Sequence, residues 1–256
     1  MTGADSPNSP AAPVDAAALL RGLLLDPGRP RLTWYAAGGE RVELSGAVLD
    51  NWVSKTTNLL VEELDAGPGT VVALDLPPHW RTALWALATW RTGATLAWGT
   101  DPAADVLVTA APPAAAHAQL VVVALPALAR RAVVDLPAGA VDAAAAVMTY
   151  GDTIGWVPPT EPHRTALVGT ADGQVPHGEL ARWWSGARPE RLLLGPQPSA
   201  DWLRTVAGTL AAGGSLVLVD ADEAGRLRGD GDARERLTQS ERITAQDLGT
   251  APTARA

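Results

Sequence analysis

The stretch 70–98, TVVALDLPPHWRTALWALATWRTGATLAW, decides the fold. Thr70 to Leu76 is a continuous apolar run of strand length, and Pro77-Pro78 ends it. Trp80 to Thr92 is long enough for a helix and carries Leu84, Leu87, Ala88 and Arg91. Gly93 stands where a left-handed C-terminal cap belongs. Thr95 to Trp98 reads as the next buried strand. Strand, helix and strand within about thirty residues predict a right-handed βαβ unit, and so a parallel pair of strands.

Working outward, the same grammar continues on both sides. Gly46 to Leu64 carries Val48, Leu49, Trp52, Val53, Leu59, Leu60 and Leu64 on one helical face, with Ser45 as its N-cap and Gly67-Pro68-Gly69 as its stop. Arg31 to Tyr35 and Arg41 to Leu44 flank Gly38-Gly39 as a hairpin, after a helix over Val14 to Leu25 that Pro27-Gly28 ends. Downstream, strands are predicted at Asp105 to Thr109, Leu120 to Ala124, Thr165 to Gly169, Arg191 to Leu194 and Ser215 to Val219. Helices are predicted at Asp142 to Met148, Glu179 to Gly186 and Ser199 to Ala212, and Gly151 to Pro162 as a loop. The class is α/β, with a mostly parallel sheet or sheets flanked by helices.

By domain, residues 1–13 are expected to be a disordered lead and 14–220 the core. Residues 221–248 are expected as one exposed charged helix and a strand at Arg242 to Ala245, appended to that core, and 249–256 as a disordered tail.

Composition narrows the function. The chain has 256 residues, 47% hydrophobic and 19% charged, enough apolar surface for a sizeable core. Its net charge of −8 argues against nucleic acid as a partner. The longest apolar runs fall far short of the roughly 20 residues of a spanning helix, and Met1 to Pro13 lacks the features of a signal peptide, so a cytoplasmic protein without a membrane partner is expected. With no cysteine, disulfides, thiolate metal sites and cysteine nucleophiles are excluded. Ten Trp against no Phe, and nineteen Arg against the single lysine Lys55, fit the codon bias of a high-GC genome.

His79, His117, His163 and His177 show no zinc-helix spacing, and no G-x-S-x-G, G-x-G-x-x-G or G-K-[ST] motif is present. No metal ligand and no catalytic residue is assigned. Trp80, Trp85 and Trp90 point in different directions round their helix and read as packing. Lys55 falls on the exposed face of the first long helix as a solvated lysine.

The order of features from Leu32 to Trp98, ending in Trp90-Arg91-Thr92-Gly93-Ala94, resembles the amino-terminal part of the adenylate-forming superfamily of acyl-CoA synthetases and adenylation domains. Arg91 replaces the lysine of the family pattern. Leu167-Val168-Gly169-Thr170-Ala171-Asp172-Gly173-Gln174-Val175-Pro176-His177-Gly178 is similar to the family's phosphate loop, T-S-G-T-T-G-x-P-K-G, in weaker form. The resemblance runs from about residue 30 to 245 and extends to a small group of truncated proteins of high-GC actinobacterial type.

The resemblance implies an AMP-dependent synthetase or ligase ancestry, with ATP or AMP and magnesium as cofactors by likeness only. The family's adenine segment, ribose aspartate, hinge and mobile carboxy-terminal domain are not found, so a truncated and degenerate member, a pseudoenzyme, is expected. Gly169, Thr170, Gly173, His177 and Gly178 are the nucleotide- or anion-binding candidates it implies. Asp172 adds an anion where polyphosphate would lie, at about 1 to 4 kcal/mol, and His177 takes the lysine position. The loop itself reads as a plain turn, a degraded ligand loop or a working one.

Three functions follow. One is acyl or nucleotide binding without ligase activity, another an interaction or regulatory module with a protein partner or a second copy, and the third a residual ligase completed by another chain.

Overall fold

The computed structural model describes residues 13–113, 119–171, 173–197 and 199–249. The expected lead, apart from Pro13, the tail beyond Gly249, His117 and Asp172 lie outside the described residues.

The chain folds in the order α1 (Ala16–Leu23), β1 (Pro30–Ala36), β2 (Glu40–Ser45), α2 (Gly46–Glu62), β3 (Val71–Asp75), α3 (Trp80–Thr92) and β4 (Thr95–Trp98). It continues with β5 (Val106–Thr109), β6 (Gln119–Val122), β7 (Val141–Asp142), α4 (Ala143–Ala146), β8 (Thr165–Thr170), β9 (Gly173–Pro176) and α5 (Leu180–Trp183). The last part is β10 (Arg191–Leu194), α6 (Asp201–Ala211), β11 (Ser215–Val219), α7 (Ala221–Gly229), α8 (Gly231–Glu241) and β12 (Ala245–Asp247). Local signals set many of these ends. Ser45 accepts the Val48 N–H at 3.3 Å to start α2, and Gly93, at φ 80, closes α3 in the left-handed region where a side chain would strain.

Two sheets result. The first has the order β12-β10-β11-β1-β2 and the second β7-β6-β5-β3-β4-β8-β9. All pairings are parallel except β1 with β2 and β8 with β9. The expected βαβ unit is the centre of the second sheet, where Val71 to Leu74 pair in register with Thr95 to Trp98.

The main core lies between the sheets and is filled by α1, α2, α3 and α6. α3 touches β1 on one side and β3 and β4 on the other, so nearly every residue of it is buried. That explains Trp80, Trp85 and Trp90, which point into different parts of one continuous core and are each buried. The outer face of the second sheet, including Ala73, Leu107 and Val122, packs against the coil residues Ala132, Leu136 and Ala140.

The acidic segment after Asp220 departs from expectation. It forms two helices, because Asp230 leaves helical geometry and caps α8 through the Ala233 N–H at 2.9 Å. Ala224, Leu227 and Ala233 are buried against the outer face of the first sheet. The strand also lies later than expected, since Arg242 takes a left-handed φ of 54 and delays β12 to Ala245. β12 then pairs in parallel with β10, so this segment extends the first sheet.

Lys55 departs as well. Its ammonium donates to Tyr150 O at 2.8 Å and pairs with Asp152 at 2.5 Å, with only 18% of the side chain exposed. Together with Asn58, which bonds Gly151 O, Thr153 O and the Gly155 N–H, it pins the predicted loop to α2. Among the described residues no helix is long and apolar enough to cross a membrane.

Candidate functional site

Parallel α/β sheets present ligand sites beyond the carboxyl ends of their strands, where loops diverge and helices begin. Here both sheets meet at that edge. A cleft of about 470 Å³ is lined by Ala36 and Ala37 at the end of β1, Pro77 to His79 after β3 and Leu125-Pro126 after β6. From the other strands come Pro196 after β10 and Asp220 to Asp222 after β11. The volume falls in the range of small-molecule pockets, about 300 to 1,000 Å³.

His79 lines the cleft as the extended N-cap residue of α3, directly after Pro77-Pro78. Its Nδ1 accepts the Arg81 N–H at 3.1 Å and caps the helix. An acceptor at Nδ1 puts the ring hydrogen on Nε2, and Nε2 has no partner among the described residues. The ring is 4% exposed and meets Trp34 edge-on at 4.4 Å. Burial, with help from the Arg81 charge, pushes its pKa down to about 3, so the imidazole is neutral at every ordinary pH.

The surrounding charges are mostly committed. Glu40 accepts from Trp34 Nε1 at 3.1 Å and from the Ala127 N–H at 2.9 Å, tying β2 to the loop after β6. Asp220 accepts from the Ala37 N–H at 2.9 Å and caps α7 through the Glu223 N–H at 2.7 Å. Asp222 is exposed at the rim. Arg81 lies behind the wall, donating to Pro126 O and Ala127 O and stacking 4.3 Å over Trp80. Desolvation lowers its pKa to about 10, against the pull of Glu40, and it stays charged at neutral pH.

The loop singled out in the sequence forms the β8–β9 hairpin at the same edge. It lies two strand spacings from β3, about 10 Å along the sheet. Gly169, Thr170 and Gly173 come together in its turn, where the Thr170 hydroxyl donates to Gly173 O at 2.6 Å. Gly169, at φ 83, backs onto Trp98, and a Cβ there would lie 3.5 Å from Trp98 O.

His177 and Gly178 turn elsewhere. The His177 Nε2–H donates to Gly93 O at 3.0 Å and Ala94 O at 3.2 Å, closing the carbonyl end of α3, and the ring is 4% exposed. Burial lowers its pKa in spite of those two carbonyls. Gly178 packs under Pro162, with its N–H on Pro162 O at 2.9 Å. Among the described residues no group of three or more His, Asp or Glu could hold a metal ion.

Sequence reasoning missed His79, Trp34, Glu40 and Asp220. The one available signal was the position of His79, at the strand-to-helix turn of the first βαβ unit.

Two layered, mostly parallel sheets with helices between them are the fold of the adenylate-forming enzymes. The chain is similar to an acyl-CoA synthetase from Brucella canis, with a TM-score of 0.68 and 19% identity over 94% of this chain and 48% of that one. It is also similar to NpsA-ThdA, an artificially fused adenylation-PCP di-domain NRPS from Klebsiella oxytoca, with a TM-score of 0.63 and 14% identity over 91% of this chain and 42% of that one. The chain thus spans less than half the length of these solved structures.

No protein-family model matches it. A TIGR03089 family protein from Mycobacterium tuberculosis (strain ATCC 25618 / H37Rv) is 38% identical over 216 residues, covering 77% of this chain and 85% of that protein. The chain belongs to the TIGR03089 family.

Proposed function

We propose that this chain is a small-molecule-binding member of the adenylate-forming fold that holds an apolar, acyl-like ligand without activating it with ATP. The observation that carries the reading is the cleft, where strand ends of both sheets converge on apolar walls of Trp34, Leu125 and prolines.

The described residues of the hairpin do not fit a magnesium triphosphate. Thr170 spends its hydroxyl inside the turn, and His177 spends its ring hydrogen on two buried carbonyls. Lys55 is held by Asp152 and Tyr150. A polyphosphate needs converging N–H groups and a cation, and none of these three side chains is free to serve it.

Thermal shift with ATP, AMP and a set of neutral aromatic amides, run beside acyl-dependent pyrophosphate exchange, tests this. The amides should raise the melting temperature, since saturation to 100 Kd adds about 2.7 kcal/mol, while exchange stays at the blank. Exchange above the blank, or stabilisation by ATP alone, would overturn the reading.

A second reading, an interaction module, is favoured by one patch. Leu128 and Val133, 93% and 69% exposed, lie on the coil that follows β6, part of which covers the second sheet. Sedimentation of the purified chain as a monomer at micromolar concentration would remove self-association from it.

A further inference from the structure

We infer that the cleft takes a molecule carrying a carbonyl or hydroxyl oxygen, held by the Nε2–H of His79, and turns away free carboxylates. This rests on reading the cleft as a ligand site and adds the chemistry of what it admits.

The argument starts from what is left unspent. Glu40 and Asp220 each accept one N–H on each oxygen, which fixes the two carboxylates in the wall. Arg81 lines no part of the cleft, and its guanidinium contacts Pro126 O, Ala127 O and the two indoles of Trp52 and Trp80. Arg226, on the neighbouring turn of α7, is held by Glu223. Among the described lining residues, His79 Nε2 is a side-chain donor without a partner, on a ring that lines the cleft and is 4% exposed.

That arm is a donor, because the helix cap occupies Nδ1. The Nε2 atom is not among the fully buried unpartnered atoms, so water reaches it, and a ligand oxygen that replaces that water gains the net worth of one hydrogen bond. The donor is also uncharged, which means it offers no countercharge to an anion. Glu40, Asp220 and Asp222 meanwhile put three carboxylates around the space, with no cation among the lining residues. A carboxylate ligand would add a fourth negative charge in a partly desolvated cleft. An amide, ester or alcohol escapes that repulsion and keeps the hydrogen bond.

Three probes of one size separate the terms: 3-phenylpropionamide, 3-phenylpropionate and 3-phenylpropylamine. They are titrated into the isotope-labelled full chain while the imidazole resonances of His79 are followed. The amide should bind and shift the Nε2–H resonance, with the carboxylate at least tenfold weaker. His79→Asn, which can still cap α3, should weaken the amide roughly three- to tenfold, the worth of one hydrogen bond. Asp222→Asn, at an exposed position, should narrow the gap between amide and carboxylate by about threefold.

Carboxylate binding as tight as the amide, or amide affinity unchanged in His79→Asn, would overturn the selection and leave the cleft as a ligand site. An unchanged gap in Asp222→Asn would overturn the exclusion by charge. If none of the three moves a cleft resonance at millimolar concentration, the ligand-site reading itself falls.

Discussion

Acid should destabilise this protein through His79, and the size of the effect follows from its burial. The ring is 4% exposed and its folded pKa is pushed to about 3, against about 6.5 in an unfolded chain. Above pH 6.5 neither state carries the proton, and the full stability is present. As the pH falls below 6.5 the unfolded chain takes up a proton that the folded state refuses, so stability declines by about 1.4 kcal/mol per pH unit until pH 3. Between pH 7.5 and 5.0 the loss from this one residue is about 2 kcal/mol.

Burial also lowers the pKa of Arg81 and of His177. A comparison of wild type with His79→Asn cancels them, because they remain in both proteins. Asn can replace the cap on the Arg81 N–H but does not titrate. Urea unfolding at pH 7.5 and 5.0 should therefore show the variant losing about 2 kcal/mol less than wild type over that interval. The variant will start less stable, by about 1 kcal/mol for the lost edge contact with Trp34, and that offset is the same at both pH values. Equal losses in the two proteins, or a folded-state imidazole that titrates near 6.5, would refute the reasoning.

Glu241→Gln should cost about 3 kcal/mol in urea unfolding at pH 7, since the carboxylate is 9% exposed and bonds Tyr35 OH at 2.6 Å, Arg41 and Arg191. Burial alone would raise the Glu241 pKa, but the hydrogen bonds from Tyr35, Arg191 and Arg41 outweigh it and hold it below 4.5. The contribution is therefore present above pH 4.5 and fades as the pH falls through the lowered value, so the gap between the two proteins should shrink in acid. Gly208→Ala should destabilise by more than about 2 kcal/mol, because its Cβ would sit 2.5 Å from the backbone Trp184 O. Gly225→Ala in α7, with only the tip of Arg228 at 4.0 Å, should instead gain about 0.5 to 1 kcal/mol in the same assay. Asn58→Ala removes three hydrogen bonds to residues 151–155, and limited proteolysis should cut that loop sooner than in wild type.

The elements legible in the sequence are those whose ends carry local chemistry. α3 runs from Trp80 to Thr92 as expected because Pro77-Pro78 bars a helix before it and Gly93 supplies the left-handed exit. β4, β10 and β11 match their expected residues because a short apolar run between glycine or proline breaks has only one reading in an α/β chain. The break between α7 and α8 was hidden, since Asp230 looks like one more charge in a charged segment until its cap on Ala233 is seen. Lys55 was misread for a related reason. Periodicity assigns a face to a residue but says nothing of a loop ninety-odd positions away that folds over that face, as Tyr150 and Asp152 do.

The candidate site divides along the same line. Gly169, Thr170 and Gly173 are adjacent in sequence, so their gathering in one turn is a local fact that the sequence could carry. The cleft is not local. Its walls come from chain positions as far apart as Trp34 and Asp222, and they meet only because β1 lies beside β11 while β3 and β6 belong to the other sheet. No spacing rule links Glu40 to Ala127 or Ala37 to Asp220, yet those bonds fix the carboxylates in the wall, beside a His79 Nε2 that has no partner among the described residues. On the proposed reading, the fold sets where a ligand would sit, and the hydrogen bonds already formed within it decide what that ligand must bring.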